Sequence, residues 1–215
     1  MISISRAEGP VRLPADFQLL LAANSCPCGK LGMNRRHSFQ FDEIRQGDFD
    51  KNEHDDYYLS QATCLCSPEE INRYWRKFGG ALLDRIELRA VVVPSGIKEI
   101  GAITVNDEKS AVIAERVVKA VEIQQQRFKG TALRRNSLIP AGKIDFYCPL
   151  TDQARAAFHK ALARLGLSGR AYHGIQKVAR TIADLDNKEV IDTTHILEAV
   201  YHRRYGEDPY DILTV

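Results

Sequence analysis

The chain has 215 residues and a mass of 24.2 kDa, enough for one sizeable domain or two small ones. Its 44% hydrophobic and 27% charged residues are a globular composition, which excludes wholesale disorder, and a formal net charge of +2 is too mild to argue nucleic-acid binding by itself. No apolar run approaches the ~20 residues of a membrane span, and Met1-Ile2-Ser3-Ile4-Ser5-Arg6 lacks the basic-then-apolar order of a signal peptide, so no membrane partner and a cytoplasmic location are expected.

In chain order, residues 16–24 run from polar residues into Phe17, Leu19, Leu20, Leu21, Ala22 and Ala23. Such a segment reads as a strand buried on both faces of an α/β sheet. It stops at Asn24, before the turn-rich Ser25-Cys26-Pro27-Cys28-Gly29. Residues 30–63 are polar and aperiodic, with acidic residues in excess between His37 and Tyr58, as expected of a surface insertion spanning about 29–63. Ser67-Pro68-Glu69-Glu70 then opens a helix with proline at its first position and carboxylates in its first turn. Ile71, Tyr74, Trp75 and Phe78 follow at helical spacing, and Gly79-Gly80 stops the helix.

A second strand is expected over 86–93, where Ile86, Leu88 and Ala90 alternate with Glu87 and Arg89 before Val91-Val92-Val93 and Pro94. Residues 95–109 have a linker's composition, and everything after about Ser110 reads as helical. Ile113, Val117, Ala120 and Gln124 mark one helix; Ala154, Ala157, Phe158, Ala161, Leu162 and Leu165 mark the next. Ala171, Ile175, Val178, Ile182 and Leu185 form the clearest amphipathic stripe, and Ile196, Ala199 and Val200 belong to a last helix. The expected organisation is a partial α/β unit over 1–94, a linker over 95–109 and an all-α bundle over 110–215. Two strands cannot complete an α/β sheet, so a further segment upstream is expected.

Cys26, Cys28, Cys64 and Cys66 fall as two tight pairs, a poor match to a secreted disulfide framework. Four thiolates could hold a structural zinc at both ends of the insertion; four free thiols are the alternative, because C-x-C is tighter than the usual C-x-x-C. Cys148 reads as a buried lone cysteine, and His173 and His195 as satisfied helical residues with no catalytic role.

Three stretches carry a resemblance: Ala22-Ala23-Asn24-Ser25-Cys26-Pro27-Cys28-Gly29, Gly80-Ala81-Leu82-Leu83-Asp84-Arg85-Ile86-Glu87-Leu88, and Leu167-Ser168-Gly169-Arg170-Ala171-Tyr172-His173, the last continuing into Lys177-Val178-Ala179-Arg180-Thr181-Ile182-Ala183-Asp184-Leu185. In order and spacing they resemble the ComM-type, magnesium-chelatase-subunit-like AAA+ family over nearly the whole chain. The exceptions are the 35 residues between the cysteine pairs, short in the family pattern, and Ser25 where a proline is expected.

The resemblance implies the C-terminal strands and helix of an AAA+ core followed by a helical lid over the nucleotide. It also implies a homo-oligomeric ring, taken as a hexamer, or a partnership with an intact relative. The ComM branch implies DNA branch migration in natural transformation; the chelatase branch implies insertion of magnesium into porphyrin, and the paired cysteines fit the ComM branch better. By resemblance Asn24 is the first sensor, Arg85 an arginine finger acting on a neighbouring subunit, and Arg170 the second sensor.

Residue chemistry leaves an alternative beside each role. Asn24 also suits a turn cap, and Arg85 a surface ion pair with Asp84 or Glu87. Arg170 stands in the first turn of a helix capped by Ser168, where the helix dipole disfavours a cation by about 0.3–1 kcal/mol, which points to a nearby anion. That anion could be a phosphate; the alternatives are a carboxylate partner such as Asp152 or a solvated side chain. Basic residues at Arg35-Arg36, at Arg73, Arg76 and Lys77, and at Arg127, Lys129, Arg134 and Arg135 could meet DNA phosphates or form solvated faces.

These 215 residues contain no G-x-x-x-x-G-K-[ST] and no acidic pair ending an apolar strand; Asp42-Glu43 lies in the insertion and Asp107-Glu108 in the linker. ATP and Mg2+ are therefore expected to bind only with the missing upstream part, and the chain alone is expected to be inactive. The alternative is a non-enzymatic, zinc-stabilised interaction module that joins rings of an intact relative.

Overall fold

A computed structural model describes residues 2–14, 17–31, 64–90, 92 and 108–204. Most of the expected insertion, most of the linker and the last eleven residues lie outside them. The chain is mixed α/β, with seven α-helices and one two-stranded sheet among the described residues.

The sheet is not where the sequence places strands. It is an antiparallel hairpin of β1 (Ile2–Arg6) and β2 (Gly9–Leu13), with Ile2 opposite Leu13 and Ile4 opposite Val11. Gly9 follows the turn with φ +124°, a conformation that glycine adopts without strain. Of the expected strand at 16–24, the described residues 17–24 lie in no strand and pair with no strand among the described residues, and Leu20 is 83% exposed. Residues 86–90 are likewise outside any strand. An apolar strand of the buried kind needs partners on both edges and helices on both faces, and the described residues supply neither.

The helices follow their sequence signals closely. α1 (Pro68–Arg76) begins in a capping box, in which Ser67 Oγ accepts from the Glu70 amide at 3.3 Å and the Glu70 carboxylate accepts from the Ser67 amide at 2.9 Å. Gly79, at φ +65°, ends that segment, and a short α2 (Gly80–Leu83) starts at once. α3 (Ser110–Arg127) buries Ala120 and Gln124, while Ile113 and Val117 of the same expected stripe stay exposed. Two 3-10 turns and the short α4 (Ile144–Tyr147) lead to α5 (Asp152–Leu165), capped by Thr151 and closed by Gly166 in the left-handed conformation. α6 (Gly169–Leu185) and α7 (Thr193–Arg204) complete the bundle.

α6 is its central helix. Ile175, Ala179, Ile182 and Ala183 pack with Phe128, Ile139, Phe158 and Ile196 in one continuous core, which also holds Cys148 at 1% exposure. Beside it lies a polar knot. Asp184, fully enclosed, accepts from Arg127 (2.8 Å to Oδ2, with a second bond to Oδ1), Arg180 (3.1 Å) and Asn136 (2.8 Å). Arg180 also donates to the Glu189 and Lys188 carbonyls. Two guanidinium groups on one carboxylate are tolerable in a low dielectric only because carbonyl oxygens take up the remaining N–H groups.

Candidate functional site

The residues singled out in the sequence fall into two places. The first is built from the two cysteine pairs. Gly29, at φ +75°, lets the chain turn after Pro27, and its amide donates to the Cys26 carbonyl at 3.0 Å. Trp75 on α1 donates to the Ser25 carbonyl at 3.0 Å, and Ile71 packs on Cys26 and Leu31, which fixes the turn against the helix. Cys64 and Cys66 arrive just before the α1 cap.

The four sulfurs lie within 4.8 Å of one another, with Cys26–Cys28 at 3.3 Å and both Cys26–Cys64 and Cys28–Cys64 at 3.6 Å. A tetrahedral zinc with bonds of about 2.3 Å needs sulfurs about 3.8 Å apart, so the donor set and spacing fit that ion. The Leu31 amide donates to Cys26 Sγ at 3.3 Å, which fixes that sulfur's position in the cluster. Cys28 is pulled down to about 6 by the Lys30 backbone and the Cys26 side chain, while Cys64 is pushed up to about 12 by burial. One acidic thiol beside one reluctant thiol is the behaviour of a cluster sharing protons that a cation would displace.

Asn24 stands at the edge of this turn. Its side chain lies 3.6 Å from where a Cβ on Gly29 would be, so it packs over the cysteine loop. No hydrogen bond or ion pair joins it to Arg85 or Arg170 among the described residues.

The second place is where residues 83–90 meet α6 and α7. Arg85 is exposed and donates to the Ala81 carbonyl at 2.5 Å; the ion pair with Asp84 considered for it is not formed. Asp84 instead accepts from buried Arg203 at 2.5 Å and from Ser168 Oγ at 3.0 Å. Ser168 caps α6 as expected, accepting from the Ala171 amide at 3.1 Å. Arg170 is therefore in the first turn of α6, exposed, with no ion pair to Asp152 or any other carboxylate among the described residues.

Arg170 borders a cavity of about 180 Å³ with His173 and Lys177 from the same helix and Glu87 opposite. Gly174 lets Glu87 approach: an added Cβ would meet Glu87 Oε1 at 3.1 Å. His173 Nδ1 is buried there without a hydrogen-bond partner among the described residues, so His173 is not the satisfied helical residue expected, and Lys177 donates to the Ser137 carbonyl at 3.1 Å. Arg170 in the first turn of α6 offers N–H donors to an anion at the cavity, with Lys177 two turns on, while the Glu87 carboxylate opposite opposes one.

Some expectations change. Arg127, assigned to a basic cluster, is held by Asp184 and Asn136. His195 is enclosed, with the Asp192 amide donating to Nδ1 at 3.0 Å and Asp186 at 3.2 Å from Nε2, so it is a satisfied structural residue as expected. Sequence reasoning missed the Asp84–Arg203–Ser168 junction, in which Asp84 lies 119 residues from Arg203 and 84 from Ser168 with no local signal. It also missed the Arg180–Asp184 pair, for which the i, i+4 spacing was a usable signal. Arg35-Arg36 and Asp42-Glu43 lie outside the described residues.

Two family models match the chain. "Magnesium chelatase, subunit ChlI" covers residues 1–48 and 53–100, and "Magnesium chelatase, subunit ChlI C-terminal" covers 107–203. The Competence protein ComM of Haemophilus influenzae is 34% identical over 206 residues, which are 94% of this chain and 33% of that protein. The uncharacterised YifB of Escherichia coli is 31% identical over 94% of this chain and 34% of its own length. The chain thus spans about a third of the length of the curated relatives it matches.

Proposed function

The chain belongs to the ComM-type, magnesium-chelatase-like AAA+ family, and from that premise we propose that it is the sensing and coupling part of a ring-forming ATPase whose phosphate loop lies outside these 215 residues. In this reading 1–94 is the C-terminal portion of the α/β core and 110–215 the lid, joined over 95–109. The observation that carries it is the placement of Arg170: a cation in the first turn of a capped helix, beside a cavity, with no carboxylate paired to it among the described residues. Such a cation is stabilised when an anion occupies the cavity, and a nucleotide phosphate is the anion the family supplies.

Arg85 is exposed on the segment packed against α7, as a finger reaching a neighbouring subunit must be. A guanidinium offered in trans stabilises charge on the transferred phosphoryl oxygens and makes turnover depend on assembly. Asn24 is assigned the first-sensor role, orienting water near the γ-phosphate. ATP with Mg2+ would bind only when the phosphate loop is supplied. Cys26, Cys28, Cys64 and Cys66 would hold a structural zinc that pins both ends of the insertion to α1. The ComM relative makes DNA the partner proposed, with the exposed Arg73, Arg76 and Lys77 on and after α1 as phosphate contacts.

Two measurements test the reading. The purified chain alone should show no ATP turnover. Mixed with a full-length relative, it should enter the ring, and Arg85→Ala in this chain should lower turnover of the mixed assembly. Turnover by the chain alone that disappears with Arg170→Ala would sink the proposal. A second reading, a zinc-stabilised interaction module without catalysis, is favoured by the thiol geometry; it gains if the chain joins the relative's ring and Arg85→Ala has no effect.

A further inference from the structure

Residues 83–90 carry Arg85, and in place of a sheet their polar groups find α6 and α7. Arg203, 2% exposed at the end of α7, donates to the Ile86 carbonyl at 3.0 Å, the Asp84 carbonyl at 2.8 Å and Asp84 Oδ1 at 2.5 Å. Arg89 returns the contact, donating to the Arg203 carbonyl at 2.9 Å, while its amide donates to the His202 carbonyl at 2.9 Å. The same Asp84 Oδ1 accepts from Ser168 Oγ, whose lone pairs accept the Ala171 amide. One carboxylate oxygen therefore touches the cap of the helix that bears Arg170, two residues beyond, and sits one residue before Arg85.

We propose that Asp84 is a positioning residue that couples the two arginines, transmitting the position of the α6 N-terminus to the segment that carries Arg85. Arg203 makes the coupling stiff: its enclosed guanidinium cannot lose its only carboxylate among the described residues without a large penalty, so Asp84 is held while Ser168 can move. A shift of α6 toward or away from an anion at Arg170 then pulls on the Asp84–Arg203 pair through Ser168, or breaks the Ser168 bond and leaves Asp84 to reorient on Arg203 alone. Arg85 follows in either case. The functional half of this inference rests on the roles proposed above for Arg85 and Arg170; the mechanical half does not.

Hydrogen exchange on the purified chain reads the mechanical half. The amides of Ile86 and Arg89 are protected by the Leu83 and His202 carbonyls, and that of Tyr172 by the Ser168 carbonyl. Ser168→Ala should speed exchange at Ile86 and Arg89 by about fivefold or more, and Asp84→Asn should do the same at Tyr172. Thr151→Ala, the equivalent cap of α5, should leave Ile86 and Arg89 unchanged. Effects confined in both variants to the mutated element overturn the inference, and so does faster exchange that extends equally to Phe128, whose amide donates to the Gln124 carbonyl, because that marks general loosening when Arg203 loses its carboxylate; circular dichroism checks that the bundle remains folded.

Turnover in the mixed ring reads the functional half. Asp84→Asn should lower kcat by about tenfold to a hundredfold with KM for ATP unchanged, the signature of a misplaced group. If Arg85→Ala stops turnover and Asp84→Asn leaves kcat intact, the positioning role alone fails. If Arg85→Ala is also without effect, the finger role fails first and the functional half falls with it.

Discussion

Hydrogen bonding from the Lys30 backbone and the Cys26 side chain holds the exposed Cys28 thiol at about 6, whereas burial lifts Cys148 to about 11. In the metal-free chain, Cys28 is thus a thiolate above about pH 6, and its alkylation by iodoacetamide should rise through that pH and level off by pH 8. Cys148, at 1% exposure, should react only on unfolding. Zinc should suppress the Cys28 reaction at a stoichiometry near one per chain, and Cys26→Ser should restore it, with acidification releasing the metal because protons compete for each sulfur. Metal analysis after dialysis, with mass spectrometry of the alkylated chain, checks all three. Asp184 behaves differently: replacing it by alanine strands Arg127 and Arg180 together in the core and should cost about 3–5 kcal/mol, seen as a lower denaturant midpoint. The four cysteines were legible as a candidate metal site because close cysteine pairs are rare without a reason. Asp184 was visible only as part of a family-like string, since a carboxylate on a helix is ordinarily solvated.

At the scale of elements, caps and stripes did most of the work. Ser67, Thr151 and Ser168 each accept from the amide three residues on, and each helix begins where its cap predicts. Thr151→Ala should cost about 0.5–2 kcal/mol in the thermal or denaturant midpoint, and Gly166→Ala about 1 kcal/mol, because Gly166 closes α5 at φ +60°. The strands fared otherwise. The apolar run at 17–23 has the composition of a buried strand but remains exposed and unpaired, while the hairpin at Ile2–Leu13 formed from short, ordinary residues. Helical hydrogen bonds close within a few residues, so local sequence suffices to announce them. A strand's bonds close on another segment, and its identity depends on whether that segment is present.

On the scale of the whole molecule, the exposed apolar residues are uneven. Phe17, Leu19, Leu20 and Leu21 lie bare on one segment, and Val112, Ile113, Val117 and Val118 on the first turns of α3. Patches of this kind mark surfaces that another chain or segment covers. The isolated chain should therefore self-associate in sedimentation experiments, and Leu20→Asp with Leu21→Asp should reduce this while leaving the midpoint of bundle unfolding unchanged. Sequence alone determined the longer helices, the Ser67 and Ser168 starts, the family resemblance and the thiol set, because each of these is written in spacing along one chain, whereas the short α2 and α4 and the Thr151 cap were not foreseen. Tertiary structure decided the rest: that Asp84 answers Arg203 and Ser168, that Arg127 is bonded to Asp184 and Asn136, and that Arg170 borders a cavity. Those choices depend on which distant groups become neighbours, and a polar side chain gains or loses its meaning by the partner it meets when water is removed.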